Sequence, residues 1–123
     1  MSASNFISTD AEKWMTPEEF PGTQLLPLAE PVPQGSIHRL RMFAGTVIPV
    51  HVHPCDKYVY VLEGIVETGG RECQKGTFWF TPANTHNGPH QAITDVEILT
   101  IRLGPMGIFE QLSTIDQPGR NQR

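Results

Sequence analysis

The sequence predicts a single all-β domain built from short strands. Eleven Gly and eleven Pro residues interrupt a chain of only 123 residues, so long helices and coiled coils are disfavoured. Short apolar segments alternate with Gly- and Pro-containing turns, and no helical pattern separates them. This succession is typical of an antiparallel β-sandwich or β-barrel. A chain of this length can bury one modest core, so a second domain is not expected.

Strands are expected from residue 36 onward. In the first of them, His38, Leu40 and Met42 alternate with two arginines, so the two sets of side chains lie on opposite faces. The segments YVYVL at 58–62 and VEILTIRL at 96–103 are rich in the β-branched and aromatic residues that favour strands. The predicted strands cover residues 37–43, 46–52, 58–62, 65–68, 77–80 and 96–103, with a hairpin turn at 69–71.

The first 35 residues have a different character. Four prolines between residues 21 and 33 hold the chain extended, and the segment as a whole is irregular. We therefore predict three parts: an N-terminal arm over 1–35 that packs on the barrel, the barrel itself over 36–110, and a C-terminal tail over 111–123.

Charge and composition exclude several classes of function. Nine Lys and Arg against thirteen Asp and Glu give a net charge of −4, whereas a nucleic-acid-binding surface needs a basic stripe. The longest apolar runs are only a few residues, so no membrane span is expected. The N-terminus lacks the basic start and apolar core of a secretory signal. Two cysteines, Cys55 and Cys73, are too few for a disulfide scaffold. We therefore expect a cytoplasmic protein with reduced thiols, while the sequence leaves a single Cys55–Cys73 disulfide open.

Four of the five histidines fall in two tight groups. His51 and His53 stand two residues apart at the end of a predicted strand, so their side chains point to the same face. Two neighbouring imidazoles suit two cis ligands of one divalent metal ion. A third ligand must come from another strand, and His86 or His90 could supply it. His38 lies outside both groups and is interpreted as a packing or surface residue.

Two stretches around these histidines resemble the two motifs of the cupin family. The stretch GTVIPVHVHPCDKYVYVLEG at 45–64 resembles the first motif: Gly, five residues, His-x-His, three or four residues, Glu, six residues, Gly. The stretch GTFWFTPANTHN at 76–87 resembles the second: Gly, five residues, Pro-x-Gly, two residues, His, three residues, Asn. The resemblance covers about residues 36–105. It implies a jelly-roll β-barrel of two packed sheets with a metal ion bound inside.

The first motif departs from the family pattern at Lys57, which stands where the family has a metal-binding Glu. A protonated ammonium group has no lone pair and cannot bind a metal ion. Lys57 either extends to solvent or faces the cavity, where it could hold an anionic group of a substrate. In the cavity its pKa should fall. The neighbouring Asp56 points to the opposite face unless the strand begins with a bulge.

The second motif departs by one residue. The family's His position falls on Asn87, and His86 comes one residue early. A shift of one residue in the loop would turn His86 and His90 inward, whereas without it Asn87 and Gln91 face inward. We favour His86 as the third ligand because an imidazole binds transition metals better than an amide does. His90 is the substitute candidate, or else a group that supports the ligands or transfers protons.

The layout is most similar to small cupins related to acetylacetone dioxygenase and to the cupin half of the ChrR anti-sigma factor. The segment LGPMGIF at 103–109 resembles the end of acetylacetone-dioxygenase-like chains. The resemblance implies a mononuclear Fe(II) enzyme that uses oxygen to cleave a carbon–carbon bond of a small diketone-type substrate. Fe(II) is the favoured metal, and Zn, Mn, Ni or Co could replace it. The alternatives are a non-catalytic small-molecule sensor or binding module, and an oxygen-independent isomerase, lyase or decarboxylase.

The residue pattern of the strand that carries Lys57 also predicts an interface with another copy of the chain. If Lys57 faces inward, Tyr58, Tyr60 and Leu62 form a stripe on the outer face that should be covered. Cupins commonly form dimers through such a sheet face, so a homodimer is expected. The alternative cover is the N-terminal arm.

Overall fold

The structure, a computed structural model, describes residues 4, 6–8, 13–29 and 34–104. These residues form eleven strands and no helix. The described part of the chain therefore contains no helix that could cross a bilayer. The strands are β1 (Thr23–Pro27), β2 (Ser36–Met42), β3 (Val47–Ile48), β4 (His51–Val52), β5 (Asp56–Glu63), β6 (Ile65–Thr68), β7 (Arg71–Gln74), β8 (Phe78–Thr81), β9 (His86–Asn87), β10 (His90–Ala92) and β11 (Val96–Leu103).

The strands pair into three sheets, and every pairing is antiparallel. The largest sheet has the order β1-β2-β11-β5-β8, a second has the order β3-β10-β6-β7, and β4 pairs with β9. This all-β jelly-roll arrangement confirms the predicted fold class. The hydrogen-bonded sheets stay open at their edges, so the layers do not close into a continuous barrel.

The core lies between the two larger sheets. Val59 and Val61 on β5 and Ile98 on β11 pack against residues of the facing sheet, among them Val66 and Ala92. Alternate residues of a strand point to opposite faces, so the YVYVL segment places its valines in the core and its tyrosines outside. The alternation along this segment therefore determines which side chains enter the core and which line the cavity at one end of the core.

Residues 23–27 differ from the sequence prediction, which places them in the irregular arm. They form β1, the edge strand of the larger sheet, where Leu25 lies opposite Leu40 of β2. Leu25 and Leu26 are buried, and their burial stabilises the pairing. Proline is tolerated on an edge strand, so the proline pattern that suggested an irregular segment is compatible with a strand ending at Pro27.

The chain before β1 packs on the outer face of the same sheet. The Trp14 ring lies over the guanidinium groups of Arg41 and Arg39, at 3.8 and 5.3 Å from the ring centroid. Met15 exchanges two backbone hydrogen bonds of 2.8 Å with Leu25. Both arginines also pair with Glu97. The arm is thus attached to the domain over its described part; the tail predicted for 111–123, and residues 105–110 before it, lie outside the described residues.

Candidate metal centre

His51 and His53 lie side by side in the interior, as the period-two argument predicts for their side chains. Both are 2% exposed, and their ring centroids are 4.6 Å apart with the ring planes nearly perpendicular. The segment predicted as one strand over 46–52 breaks at Pro49 into β3 and β4. This break lets β4 leave the second sheet and pair with β9, which carries His51 and His53 to the end of the cavity.

His90 joins these two rings, and His86 does not. The centroid of the His90 ring lies 5.6 Å from that of His51, and His90 is 7% exposed. His86 is exposed, because β9 pairs Asn87 with His51 and thereby turns Asn87 inward and His86 outward. The orientation favoured from the second motif is therefore wrong for His86.

The turn after β9 explains how both Asn87 and His90 can face inward. Gly88 and Pro89 separate β9 from β10, so the alternation starts again at His90, which shares its face with the core residue Ala92. Gln91 is exposed. The loop thus adopts neither of the two registers considered from the sequence. One register places His86 and His90 inward and the other Asn87 and Gln91, whereas the structure places Asn87 and His90 inward.

Hydrogen bonds fix which nitrogen of two rings faces the cluster. Nδ1 of His51 lies 2.8 Å from the backbone oxygen of Pro49, and Nδ1 of His90 lies 3.1 Å from Oγ1 of Thr68. Partners of this kind orient metal-binding histidines by holding the other ring nitrogen. Nε2 is then the nitrogen left to ligate in each ring, and the Asn87 amide nitrogen lies 3.4 Å from Nε2 of His51.

His53 carries two buried nitrogens without a partner. Neither Nδ1 nor Nε2 makes a hydrogen bond in the structure. Leaving a buried polar atom unsatisfied costs about 1–3 kcal/mol, so such atoms in a folded protein call for an explanation. A metal ion bound at this ring would account for one of the two nitrogens.

The donor chemistry of the three rings fits a divalent metal ion. At a metal–nitrogen distance of about 2.0–2.1 Å, two imidazoles on one ion have centroids about 5 Å apart, and both measured separations are near this value. Among the described residues, however, no group of three His, Cys, Asp or Glu side chains is already arranged to hold an ion. Binding would therefore require rotation of the rings.

The histidine rings are held neutral, which is the form that binds metal. Burial lowers the pKa of His51 to about 4 and that of His90 to about 3. Burial, followed by the nearby charge of Lys57, also lowers the pKa of His53. His38 lies in the same cavity with its pKa lowered to about 3, chiefly by burial. The structure thus buries His38, as one of the two readings of the sequence expected.

Lys57 faces the cavity and is 5% exposed. Burial first, and then the charge of Arg102, lower its pKa to about 7. Asp56 does not neutralise it, because that carboxylate accepts a hydrogen bond from the backbone N–H of Ala83. Of the two orientations that the sequence left open, the structure shows the inward one.

Arg102 is a site residue that the sequence reasoning missed. It is 2% exposed, lies opposite Lys57 across the β5–β11 pair, and its Nε and Nη1 atoms have no hydrogen-bond partner. Burial lowers its pKa to about 10. A signal was present in VEILTIRL, since Arg102 is in phase with Ile98 and Thr100 on the inward face of that strand.

One cavity is lined by His38, His51 and His90 together with Lys57 and Arg102, and the rest of its wall is mostly apolar. The His53 ring packs against that of His51. The enclosed volume of the cavity is about 50 Å³, enough for a few water molecules or a small organic ligand. Pro17 and Phe20 of the arm close one side, and Leu40, Val59 and Trp79 contribute apolar surface. The site can therefore bind a small, negatively charged molecule and shield it from water.

Comparison with known proteins places the fold and the family. Residues 2–107 match the family model of the ChrR cupin-like domain. No curated protein matches the chain significantly.

Several solved structures share the fold. An acetylacetone dioxygenase from Acinetobacter johnsonii is 16% identical, with a TM-score of 0.74 over 85% of this chain and 77% of that one. KdgF from Halomonas sp. is 24% identical, with a TM-score of 0.73 over 85% and 99%. An RmlC-like cupin from Shewanella frigidimarina is 16% identical, with a TM-score of 0.76 over 87% and 96%. At these identities the likeness is one of fold. Together with the match over most of its length, it shows that this chain belongs to the ChrR-like cupin family.

Proposed function

We propose that this protein is a mononuclear metal-dependent enzyme that uses oxygen to cleave a carbon–carbon bond in a small diketone-type or related oxygenated substrate. The observation that carries the proposal is a cluster of three buried imidazoles, two of which, His51 and His90, line the same small cavity as Lys57. His51, His53 and His90 would hold the ion. The resemblance to acetylacetone-dioxygenase-like cupins supports the choice of reaction and of Fe(II).

Each residue has a chemical role in this proposal. Three neutral histidines would leave a bound ion with its full double charge, and such an ion would stabilise the negative charge of a substrate enolate. The Lys57 ammonium group faces the same cavity and would hold a negative oxygen of the substrate. Trp79, whose ring stacks on His90 with centroids 6.0 Å apart, keeps water from that side.

Oxygen uptake tests the reaction. Protein loaded with Fe(II) without air, then mixed with air-saturated buffer and a panel of β-diketones, should consume oxygen only when a diketone is present. Zinc-loaded protein is the matched control, since Zn²⁺ has no redox chemistry and should consume none. No uptake with any substrate, combined with tight retention of zinc, would favour the second candidate instead.

That second candidate is a non-catalytic small-molecule sensor or binding module. The match to the ChrR cupin-like domain is the observation that favours it. An oxygen-independent isomerase, lyase or decarboxylase is distinguished when the substrate concentration is followed in the same experiment, because such an enzyme would convert substrate without consuming oxygen.

We propose that the protein is a homodimer that pairs through the outer face of β5 and β8. Phe78, Phe80 and Tyr60 are 57%, 46% and 43% exposed there. Tyr58 packs against both phenylalanines, at centroid distances of 5.8 and 5.2 Å. The described part of the arm lies elsewhere: Trp14 covers Arg39 and Arg41 of β2, and Pro17 and Phe20 line the cavity. An exposed aromatic patch of this kind is typical of an interface.

Charge placed on this face should therefore dissociate the dimer. Phe78→Glu should change the mass measured by light scattering from that of two chains to that of one, because a carboxylate would be buried without a partner. Ile93→Glu is the control, since Ile93 is 47% exposed and lies outside the patch. A monomer in the unaltered protein would contradict the proposal.

We also propose a cytoplasmic location. Cys55 and Cys73 are both free thiols in the structure, as expected for a protein of a reducing compartment.

A further inference from the structure

Two positive side chains, Lys57 and Arg102, line the cavity, and no negative side chain among the described residues pairs with either. Lys57 and Arg102 are nearest neighbours across the β5–β11 pair, and both point inward. The charge of Arg102 lowers the pKa of Lys57, as expected for like charges in close proximity. Burying two cations side by side is costly unless an anion accompanies them.

No described carboxylate neutralises this pair. Asp56 is engaged by the backbone of Ala83, Glu63 pairs with Lys75, and Glu97 pairs with the arginines of β2 on the outer face of the sheet. Within the described residues, neither Lys57 nor Arg102 makes an ion pair. The described part of the chain thus supplies two buried cations and no anion to pair with them.

Polar atoms around Arg102 that lack hydrogen-bond partners also indicate that an anion binds here. Its Nε and Nη1 atoms are buried without an acceptor, and so is Oγ of Ser36, which lies directly opposite on β2. Nδ1 of His38, two residues along that strand, is also unpartnered. Among the described residues, buried polar atoms without a partner therefore lie at neighbouring positions of β2 and β11. A carboxylate has two oxygens that match the planar face of a guanidinium group.

We propose that the substrate carries a carboxylate, that Arg102 binds this carboxylate together with Lys57, and that the physiological ligand is a small 3-oxo acid rather than a neutral diketone. This inference rests on the proposed function, since it adds a charged end to the substrate of the same site. The cavity supports a small ligand: its volume is about 50 Å³ and the rest of its wall is apolar. The keto group would lie toward His51, His53 and His90 and the acid group toward Arg102.

A matched pair of ligands tests the charge directly. Acetoacetate and its methyl ester have the same carbon skeleton apart from the ester methyl, and only the first carries a negative charge. Both are titrated by calorimetry into zinc-loaded protein, so that no oxygen-dependent turnover occurs, and into protein without metal. Acetoacetate should bind at least about tenfold more tightly in both, because hydrogen bonds between two charged groups are about twice as strong as those between neutral groups. Equal affinities in the unaltered protein would overturn the proposal without the use of any variant.

Substitutions then test which residue causes the preference for acetoacetate over its methyl ester. Arg102→Gln should reduce the preference for the acid to less than about threefold, whereas Arg41→Gln, on the outer face of β2, should leave it intact. Lys57→Gln provides a second variant should Arg102→Gln fail to fold, and it should also reduce the preference. A preference that survives in both cavity variants would overturn the assignment.

Inorganic phosphate separates the carboxylate from anions in general. It should bind at least tenfold more weakly than acetoacetate, and equal binding would contradict the proposed substrate class. Because none of these titrations measures oxygen consumption, they can succeed when the dioxygenase proposal fails. The reverse also holds: oxygen uptake with neutral diketones, together with no acid preference, would sustain the proposed function and remove this inference.

Discussion

Replacing His90 with Ala should remove most of the metal from the protein, and replacing His86 with Ala should leave the metal content unchanged. The ring of His90 lies 5.6 Å from that of His51 in the interior, while His86 is exposed on the other face of β9. Mutating a residue that merely supports a ligand costs about 10–100-fold in metal affinity, so loss of a ligand should cost at least about 100-fold. His51→Ala should behave like His90→Ala.

Elemental analysis after loading with Fe(II) or Zn(II) and removal of excess ion checks this. We expect close to one ion per chain in the unaltered protein and in His86→Ala, and little in His90→Ala. His38→Ala is a second control, because it also removes a buried ring from the cavity wall but lies outside the three-ring cluster. Equal losses in His86→Ala and His90→Ala would contradict the assignment of the third ligand.

The choice between His86 and His90 shows how far a periodicity argument reaches. Within one strand the period of two is reliable, and it placed His51 and His53 on one face from the sequence alone. It does not extend across a turn. Gly88 and Pro89 separate β9 from β10, and the phase of the alternation changes between them. Only the pairing of β9 with β4 decides which of the two residues at 86 and 87 points inward.

The fold itself was predictable where the sequence has long, strongly patterned strands. Residues 58–62 and 96–103 form the centre of the larger sheet, as their β-branched and aromatic content predicts. β1 was missed because the surrounding prolines are typical of irregular chain, and its burial depends on pairing with a partner 15 residues later in the sequence, where Leu25 meets Leu40. Two-residue strands such as β9 carry too little pattern to be detected.

The anion-binding side of the cavity could be predicted only in part. Lys57 stands at a motif position, so its inward orientation was one of two stated possibilities. Arg102 lies beyond both motifs, 45 positions further along, and becomes a neighbour of Lys57 only through the β5–β11 pairing. A pattern of residues along one strand shows that an arginine is in phase with the core, but it does not show what lies across from it.

Acidification should destabilise the metal-free protein well above the pH at which carboxylates titrate. Four buried rings have a pKa below that of a free histidine: burial lowers it to about 3 in His38 and His90 and to about 4 in His51, and it is also lowered in His53. In the unfolded chain they bind protons near the ordinary value of about 6.5. The unfolded state therefore binds more protons than the folded state between about pH 6.5 and 4.

The free energy of unfolding must then fall as the pH decreases through this window, by up to about 1.4 kcal/mol per pH unit for each ring. Lys57, with a pKa of about 7 in the fold, adds a slope of its own mainly between pH 7 and 6, so the interval from pH 6 to 5 isolates the contribution of the rings. Urea unfolding followed by tryptophan fluorescence at pH 7, 6 and 5 measures the effect. We expect His38→Gln to reduce the slope by about one proton's share, which separates this ring from the three at the metal centre. A stability that stays flat from pH 7 to 5 would mean that water reaches the rings and protonates them in the fold, and the cavity would then be too open to shield an anion as proposed.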